Sequence, residues 1–576
     1  MSILFLGILK RVLRVDMNGL SFINVRSEIL SSSRSIDNVD NEEIVVINDS
    51  LSHLSPIVQT PKTSLKSTET SSKIKEIGNT NETSIKSVSS PVNNTFNINI
   101  NKHVSIPPLT CYESVGQGRQ LGNQFQTQIE LCETDFGCGM LERWKQQKLI
   151  MCERHQHSLL RSYNDNSYPS QLTCYKHNNL HLPPATFPHT VCDGENIVFD
   201  FSKMLHASCL KYRPGYFCKK PTYYHYEYGA LNGNCKRTDR FFSVDDFSKD
   251  FGKDVFSSFS TFESPFEKPI QFIDGITIFV SREQDEHVNM FHSMTDFFAT
   301  YLMIEMFQLN SSQVQIVLLD DHYDGPFDFL WNSVFSLKRP MMKASQFNNS
   351  TVRFERAIFQ HAGYATHFLS HVLDFDKQDP RMCHSKIPLV SSFANRIIQL
   401  LGIKKREMKK GDMVKGLFIS RKPYVKNGIN HQFMGRQISN EDELMAFFRM
   451  HPLHSTNFTI EKIDFASLSL VEQIQKVHNS DFLIGYHGAG LTHSLWLPED
   501  SSGVLEIWKS AFSKSWRCFE QLTLWKGNYY DLWSNTNGWN LRTDADGDYL
   551  RVEPYSINGQ FSKMINQLTI SRSFES

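Results

Sequence analysis

Asp481-Phe482-Leu483-Ile484-Gly485-Tyr486-His487-Gly488-Ala489-Gly490-Leu491-Thr492-His493 decides the fold of the carboxyl-terminal half. Its first six residues form a short apolar run of strand length. His487-Gly488-Ala489-Gly490 then reads as a tight turn. A short helix follows to about Leu497 and stops at Pro498, where the missing N–H breaks the ladder. Glycines at a strand-to-helix turn let backbone come close to a phosphate. The helix N-terminus adds unsatisfied N–H groups and a favourable dipole, and Thr492 adds a hydroxyl. The spacing is neither a Walker loop nor G-x-G-x-x-G, and by itself it fits a turn that merely packs.

Working outward, the same alternation recurs. Gly416 to Ser420 (GLFIS) reads as a strand, and Ser439-x-x-Asp442 resembles a capping box that opens a helix. Ser469-Leu470-Val471-Glu472 is a cleaner capping box for a helix to about His478, and Gly503 to Ile507 is the next strand. Further upstream, Ile276 to Val280 reads as a strand and Val314 to Leu319 as another. Between them, Met290, Met294, Phe297, Tyr301 and Leu302 recur at helical spacing over Asn289 to Phe307. Strand–helix–strand alternation implies parallel sheets. The Lys-rich stretch Lys404 to Lys410 separates two such α/β halves. Ligands of open α/β sheets bind at the carboxyl ends of strands.

Three constellations carry chemistry. The glycine turn is the first, with Glu506 at the end of the next strand placed to accept from ribose hydroxyls or to sit solvated. The second is Asn289, His292 and Asp296, which spacings of three and four put on one helix face. Such a face offers a base for an acceptor hydroxyl proton, with the other group orienting it. A helix-capping Asn and a structural His–Asp pair fit the same spacing. The third is Arg421 with Arg436, whose guanidinium groups suit a diphosphate or surface ion pairs. Asp320-Asp321-His322-Tyr323-Asp324 has the carboxylates of a metal loop. With the arginines available no metal is required, and the composition also fits an ordinary loop.

The net charge of −1 over 576 residues gives no field for nucleic acid or an anionic membrane. Nine of eleven cysteines lie between Cys111 and Cys235, without a C-x-x-C pair. That cluster points to disulfides in a secretory-pathway protein, and the odd count leaves at least one thiol over. Asn-x-Ser/Thr at Asn48, Asn81, Asn93, Asn310, Asn348, Asn349 and Asn457 agrees with a lumenal location. Ser31 to Val104 is rich in Ser, Thr, Asn and Lys, a composition that does not offset ordering entropy. Ile3 to Leu9 is apolar but short for a membrane span. The expected organisation is a largely disordered tail or stem over 1–108. A Cys-rich irregular segment with a first Rossmann-like domain follows over 109–403. A second Rossmann-like domain with a carboxyl-terminal helix covers 404–576.

Taken in order, several segments resemble one glycosyltransferase family: Cys192-Asp193-Gly194-Glu195-Asn196 through Asp200, Asn289 through Asp296, Arg421, Arg436-Gln437-Ile438-Ser439-Asn440, and His487 through His493 with Glu506. It contains plant core β1,2-xylosyltransferase, animal EGF-domain-specific O-GlcNAc transferase and protein O-mannose β1,4-GlcNAc transferase. Asn-Met-Phe-His-Ser-Met-Thr-Asp-Phe-Phe at 289–298 and Trp525-Lys526-Gly527-Asn528-Tyr529-Tyr530 are most similar to the xylosyltransferase pattern, and Arg282 matches an Arg there.

The resemblance implies a GT-B fold, two Rossmann-like domains facing a cleft, with an inverting mechanism and no obligatory metal or cofactor. It implies UDP-xylose as donor and the β-mannose of an N-glycan core or glycoprotein as acceptor, in β1,2 linkage. Donor binding then falls to Arg421, Arg436, His487, Gly488, Ala489, Gly490, Leu491, Thr492, His493 and Glu506. Catalysis falls to His292 and Asp296, with Asn289 and Arg282 supporting the acceptor. A Golgi lumenal enzyme with an amino-terminal membrane tether is expected, the ER lumen being the alternative. Two other readings stay open: an EGF-domain O-GlcNAc transferase using UDP-GlcNAc, and an inactive glycan-binding relative.

Overall fold

Apolar runs of strand length recur along the chain, and most become strands of two large sheets, with Met434–Ile438, Gly547–Leu550 and Leu541–Asp544 forming a smaller one. In this computed structural model residues 132–574 are described, apart from 135, 155–167, 178–188, 207–223, 239–251, 263–269, 283–287, 348, 362, 364–382, 405, 408–410, 427–428, 432–433, 455–456, 512–516 and 545–546. The expected stem over 1–108, the apolar run Ile3 to Leu9, Cys111, Cys209, Cys218 and the sequons at Asn48, Asn81, Asn93 and Asn348 lie outside the described residues.

The first half comprises α1 (Cys138–Gln146), β1 (Lys148–Glu153), β2 (Gln171–His177), β3 (His189–Asp200), β4 (Ile270–Val280), α2 (Met290–Met306), β5 (Val314–Leu318), β6 (Thr351–Phe359) and α3 (Pro388–Leu400). Its sheet runs β5–β4–β6–β3–β2–β1. Pairs of β4 with β5 and β6 are parallel, and the pairs from β6 outward to β1 are antiparallel. The parallel core is the strand–helix–strand unit read from sequence. The Cys-rich stretch departs from expectation: it supplies β1, β2 and β3 and continues the same sheet. Cys174 and Cys192 are directly opposite each other in β2 and β3, and their disulfide staples that ladder. Cysteines that signalled loops thus sit in strands. Cys152–Cys235 and Cys132–Cys383 are also bonded, as is Cys138, while Cys518 is a free buried thiol.

Helix α2 is capped by Asn289, whose side chain accepts from Phe291 N–H. It is apolar nearly all round and correspondingly buried. Phe297 packs on Trp331 at 4.3 Å between ring centroids, and Phe298 on Phe393 of α3 at 5.2 Å. Full burial of such a side chain contributes about 1.5–3 kcal/mol. Phe297→Ala would therefore open a cavity at the centre of this half.

The second half comprises β7 (Val414–Ile419), β8 (Met434–Ile438), α4 (Glu441–Arg449), β9 (Phe458–Ile463), α5 (Leu470–His478), β10 (Phe482–Tyr486), β11 (Gly503–Trp508), α6 (Cys518–Leu524), β12 (Tyr529–Ser534), β13 (Leu541–Asp544), β14 (Gly547–Leu550) and α7 (Pro554–Phe574). Strands β9–β7–β10–β11–β12 form one sheet, parallel throughout. Its central strands β10 and β11 are buried along their whole length, as a parallel sheet covered on both faces requires. The capping box at Ser469 and Glu472 is present at α5. The one expected at Ser439 is not: Asn440 is the N-cap of α4 and makes no side-chain cap. Instead its amide donates to Val552 O at 2.8 Å and accepts from Val552 N at 3.0 Å, docking the chain that leads into α7. Phe561, Met564, Ile565 and Leu568 of α7 are buried, and Arg572 pairs with Asp481 ahead of β10.

The two halves are joined ahead of α3. Trp525 Nε1 donates to Cys383 O at 3.1 Å, and Ile387 N donates to Trp525 O at 2.8 Å. The same Cys383 is disulfide-bonded to Cys132. Among the described residues no helix is long and apolar enough to cross a membrane.

Candidate functional site

At the carboxyl end of β10 the chain makes the turn that opened the sequence reading. Gly488 has φ +147°, a conformation that side chains disfavour. A Cβ there would land on the Arg421 guanidinium and come within 3.4 Å of Arg436 Nη1. Arg421 lies just past the end of β7, and its Nη1 donates to His487 O at 3.4 Å. Arg436 is exposed, stands in left-handed backbone (φ 64°) within β8, and makes no ion pair among the described residues. Residues other than glycine rarely hold that conformation. The structure therefore brings Arg421, Arg436, His487 and Gly488 together. Tyr486 lies in the same field: burial pushes its hydroxyl up to about 12, and Arg436 and Arg421 pull the other way.

Beneath the turn is a buried relay. His487 Nδ1 is bonded to Glu506, which is fully buried on β11. The Tyr530 hydroxyl donates to the other Glu506 oxygen at 2.7 Å. Glu506 thus joins the Tyr530 hydroxyl to the Nδ1 side of the His487 ring. Glu506 is thus not at an exposed strand end as the sequence led us to expect. In this geometry it orients His487. Trp508 and Phe519 pack on the His487 ring at 4.5 and 5.1 Å.

The rest of the motif divides. Ala489 and Gly490 are partly exposed at the turn, whereas Leu491, Thr492 and His493 are buried behind it. The segment Ala489–Trp496 is a 3-10 helix. His493 bonds Gly490 O and Gln473 Oε1, each at 3.0 Å, and stacks on Phe465 at 3.9 Å. Burial pushes its imidazole down to about 3, so it is a neutral strut. Leu491 is core. The Thr492 hydroxyl has no hydrogen-bond partner among the described residues.

The face of α2 lies against this segment. Phe291 packs on Phe519 at 5.6 Å, and Phe519 is the ring that packs on His487. His292, next to Phe291, is half-buried. Asp296 is buried and its Oδ1 accepts from Gly363 N–H at 3.1 Å. A Cβ at Gly363 would collide with that carboxylate. Asn289 is the helix cap. Arg282 is elsewhere: it is buried just past β4, with Nη2 on Asp320 Oδ1 and Nη1 on Asp328 Oδ2, both at 2.6 Å. Burial opposes the charge of both partners of the first pair. Their mutual attraction wins, holding Arg282 up and Asp320 below the usual carboxylate range. This accounts for the Asp320 loop as a structural ion cluster. Among the described residues no three His, Cys, Asp or Glu form a group able to hold a metal.

Two contributors had no role in the sequence reading, Tyr530 and Lys526. Lys526 Nζ is buried and donates to Leu495 O at 2.9 Å, bracing the 3-10 helix, and burial pushes it down to about 8. Both belong to the Trp-Lys-Gly-Asn-Tyr-Tyr stretch quoted above. Nothing in its spacing showed that the residues point at Glu506 and Leu495.

The family model of Glycosyltransferase 61 matches residues 290–504. Over those residues the chain is similar to that family. The matched residues include His292, Asp296, Arg421, Arg436 and the His487–His493 turn, while Asn289, Arg282 and Glu506 fall just outside them. The chain is 25% identical over 321 residues to a Gallus gallus protein named EGF domain-specific O-linked N-acetylglucosamine transferase, covering 54% of this chain and 55% of that one. The Xenopus laevis protein of the same name is 26% identical over 279 residues, 46% of this chain and 45% of that one. Beta-1,2-xylosyltransferase RCN11 of Oryza sativa subsp. japonica is 24% identical over 272 residues, 45% of this chain and 49% of that one. The chain spans about half the length of the curated relatives it matches.

Proposed function

We propose that the chain is an inverting glycosyltransferase of GT-B type that moves xylose from UDP-xylose, in β1,2 linkage, to the core β-mannose of N-glycans. The observation that carries the reading is the convergence of Arg421, Arg436 and glycine backbone at the carboxyl edge of a parallel sheet, packed against the helix bearing His292. The two guanidinium groups hold the donor diphosphate and stabilise its charge as the glycosidic bond breaks. The acceptor oxygen forms a bond to the anomeric carbon from the opposite face, its proton passes to His292, and UDP leaves. Asp296 orients that base. The arginines supply the positive charge a metal would otherwise provide, so no metal is obligatory. The xylosyl choice rests on the 289–298 and 525–530 resemblances. The disulfides support a secretory lumen, and we place the protein in the Golgi lumen.

A second reading is favoured by one finding: the match to the Gallus gallus O-GlcNAc transferase extends over more of the chain than the rice match does. The same site would then take UDP-GlcNAc and act on a folded EGF module.

The test offers UDP-xylose and UDP-GlcNAc to the full chain, with and without EDTA. A trimmed N-glycopeptide and a folded EGF domain serve as acceptors, and products are read by mass. Pentose on the glycopeptide is expected. HexNAc on the EGF domain moves the protein to the second reading. Glycan binding without turnover of either donor would make it an inactive relative.

A further inference from the structure

Trp539 stands 95% exposed, the most exposed large apolar side chain among the described residues. Its backbone is nevertheless tightly held. Asn537 caps the short 3-10 turn Gly538–Asn540 by accepting from Trp539 N–H at 3.1 Å. Asn535 is buried, donates to Asn537 O at 2.8 Å, and accepts from Asn537 N at 3.1 Å. Asn535 also donates to Lys509 O and so roots the turn in the loop after β11. Arg551 N donates to Asn540 O at 2.8 Å and closes the turn from the other side. An indole on so braced a backbone is presented, not merely left over from packing.

Its place in the fold says what it is presented to. Tyr486, Ile507 and Trp533 are level across β10, β11 and β12. One residue further on, the chain reaches His487, Trp508 and Ser534 at the same carboxyl edge. Adjacent strands lie about 4.8 Å apart, so the Asn535 root is roughly 10 Å from the glycine turn. On its other side the turn leads into β13, which pairs with β14, which pairs with the Arg436 strand β8. The turn bearing Trp539 therefore links the two elements that carry the proposed donor site.

We infer that Trp539 is a stacking platform for a saccharide ring of the acceptor glycan. A pyranose has one C–H face to lay on an indole and a rim of hydroxyls that need polar partners. The surroundings are mainly polar: Thr536 and Asn537 are exposed just ahead of Trp539 in the chain, and exposed Leu541 is followed by Arg542 and Asp544, ion-paired with each other at 2.7 Å. An apolar protein partner would instead call for a contiguous apolar patch with an anchoring pocket. This inference rests on the transferase reading for the ligand's identity.

The test is calorimetric titration of the full chain, saturated with UDP, with a trimmed N-glycopeptide and with the same peptide lacking its glycan. Wild type, Trp539→Ala and Trp539→Tyr are compared, with UDP affinity measured separately for each. We expect glycan-dependent binding that falls at least tenfold in Trp539→Ala, largely returns in Trp539→Tyr, and leaves UDP affinity unchanged. Equal glycopeptide affinity in Trp539→Ala overturns the inference. So does binding that ignores the glycan, or no glycopeptide binding by a wild type that holds UDP. Failure of wild type to bind UDP would instead strike the proposed function.

Discussion

Arg282 and Arg421 occupy matching places, each just past the carboxyl end of a parallel strand in its own half. Their charges meet different fates. Arg282 is buried and held by two carboxylates. Arg421 reaches the His487 carbonyl beside Gly488, with exposed Arg436 next to it. The carboxyl edge of a sheet is therefore not sufficient for an anion site. What decides is whether acids from the next strand arrive first, as Asp320 does in the first half.

The largest expected effect tests the buried side of that contrast. Arg282→Met leaves Asp320 without its partner in a dry site, and breaking such a pair costs about 3–5 kcal/mol. Chemical denaturation should show a loss of that size, while the folded fraction keeps its donor affinity. A stable Arg282→Met variant that no longer binds UDP would put Arg282 in the ligand site and dissolve the contrast. Arg421→Ala and Arg436→Ala should show the reverse. Each lowers kcat/KM by about 10²–10³ and leaves the unfolding midpoint nearly unmoved. Equal loss of stability from either would make these arginines structural as well.

Lys526 offers a comparison of a different kind, a buried cation with only partial compensation. Burial pushes it down to about 8, against about 10.4 for a lysine in water. Between those values the unfolded chain binds the proton and the native protein does not, so stability rises with pH across that window. Below pH 8 the cost is present in full, roughly 3 kcal/mol by the size of the shift. Wild type should therefore gain stability between pH 8 and pH 10 relative to Lys526→Met, measured by urea melts of both. Parallel pH curves would mean that Lys526 is ordinarily solvated or paired.

The alternation of strands and helices was legible because parallel strands buried on both faces read as apolar runs, and DFLIGY and GLFIS both became central strands. The strand-end rule singled out Arg421 and the glycine turn separately, and only the resemblance grouped them with Arg436, which lies within β8. The Cys-rich stretch was misread because cysteine density says nothing of register: Cys174 and Cys192 are cross-strand neighbours eighteen residues apart. The burial of Glu506, Arg282 and His493 was not legible for one shared reason. Whether a polar side chain faces solvent or a buried partner depends on non-local neighbours such as Tyr530, Asp328 and Gln473, which no spacing within a segment reveals. The relay Tyr530–Glu506–His487 is likewise a product of tertiary packing.

The smallest effect sharpens the exposed side of the contrast. Gly488→Ala places a methyl group where the Arg421 guanidinium now lies and forces a side chain into φ +147°. The backbone penalty alone costs about 1–3 kcal/mol of stability. If the glycine exists to let Arg421 approach the turn, the substitution should also raise the donor KM about tenfold, close to 1.4 kcal/mol. The decisive comparison is the double variant. With Arg421 already truncated to alanine, Gly488→Ala has no guanidinium to displace, so its effect on donor KM should nearly vanish while its stability cost persists. Residues in contact show such non-additivity and distant ones do not. Fully additive effects on KM would mean that the turn and Arg421 act on the donor separately, and that the glycine serves the backbone alone.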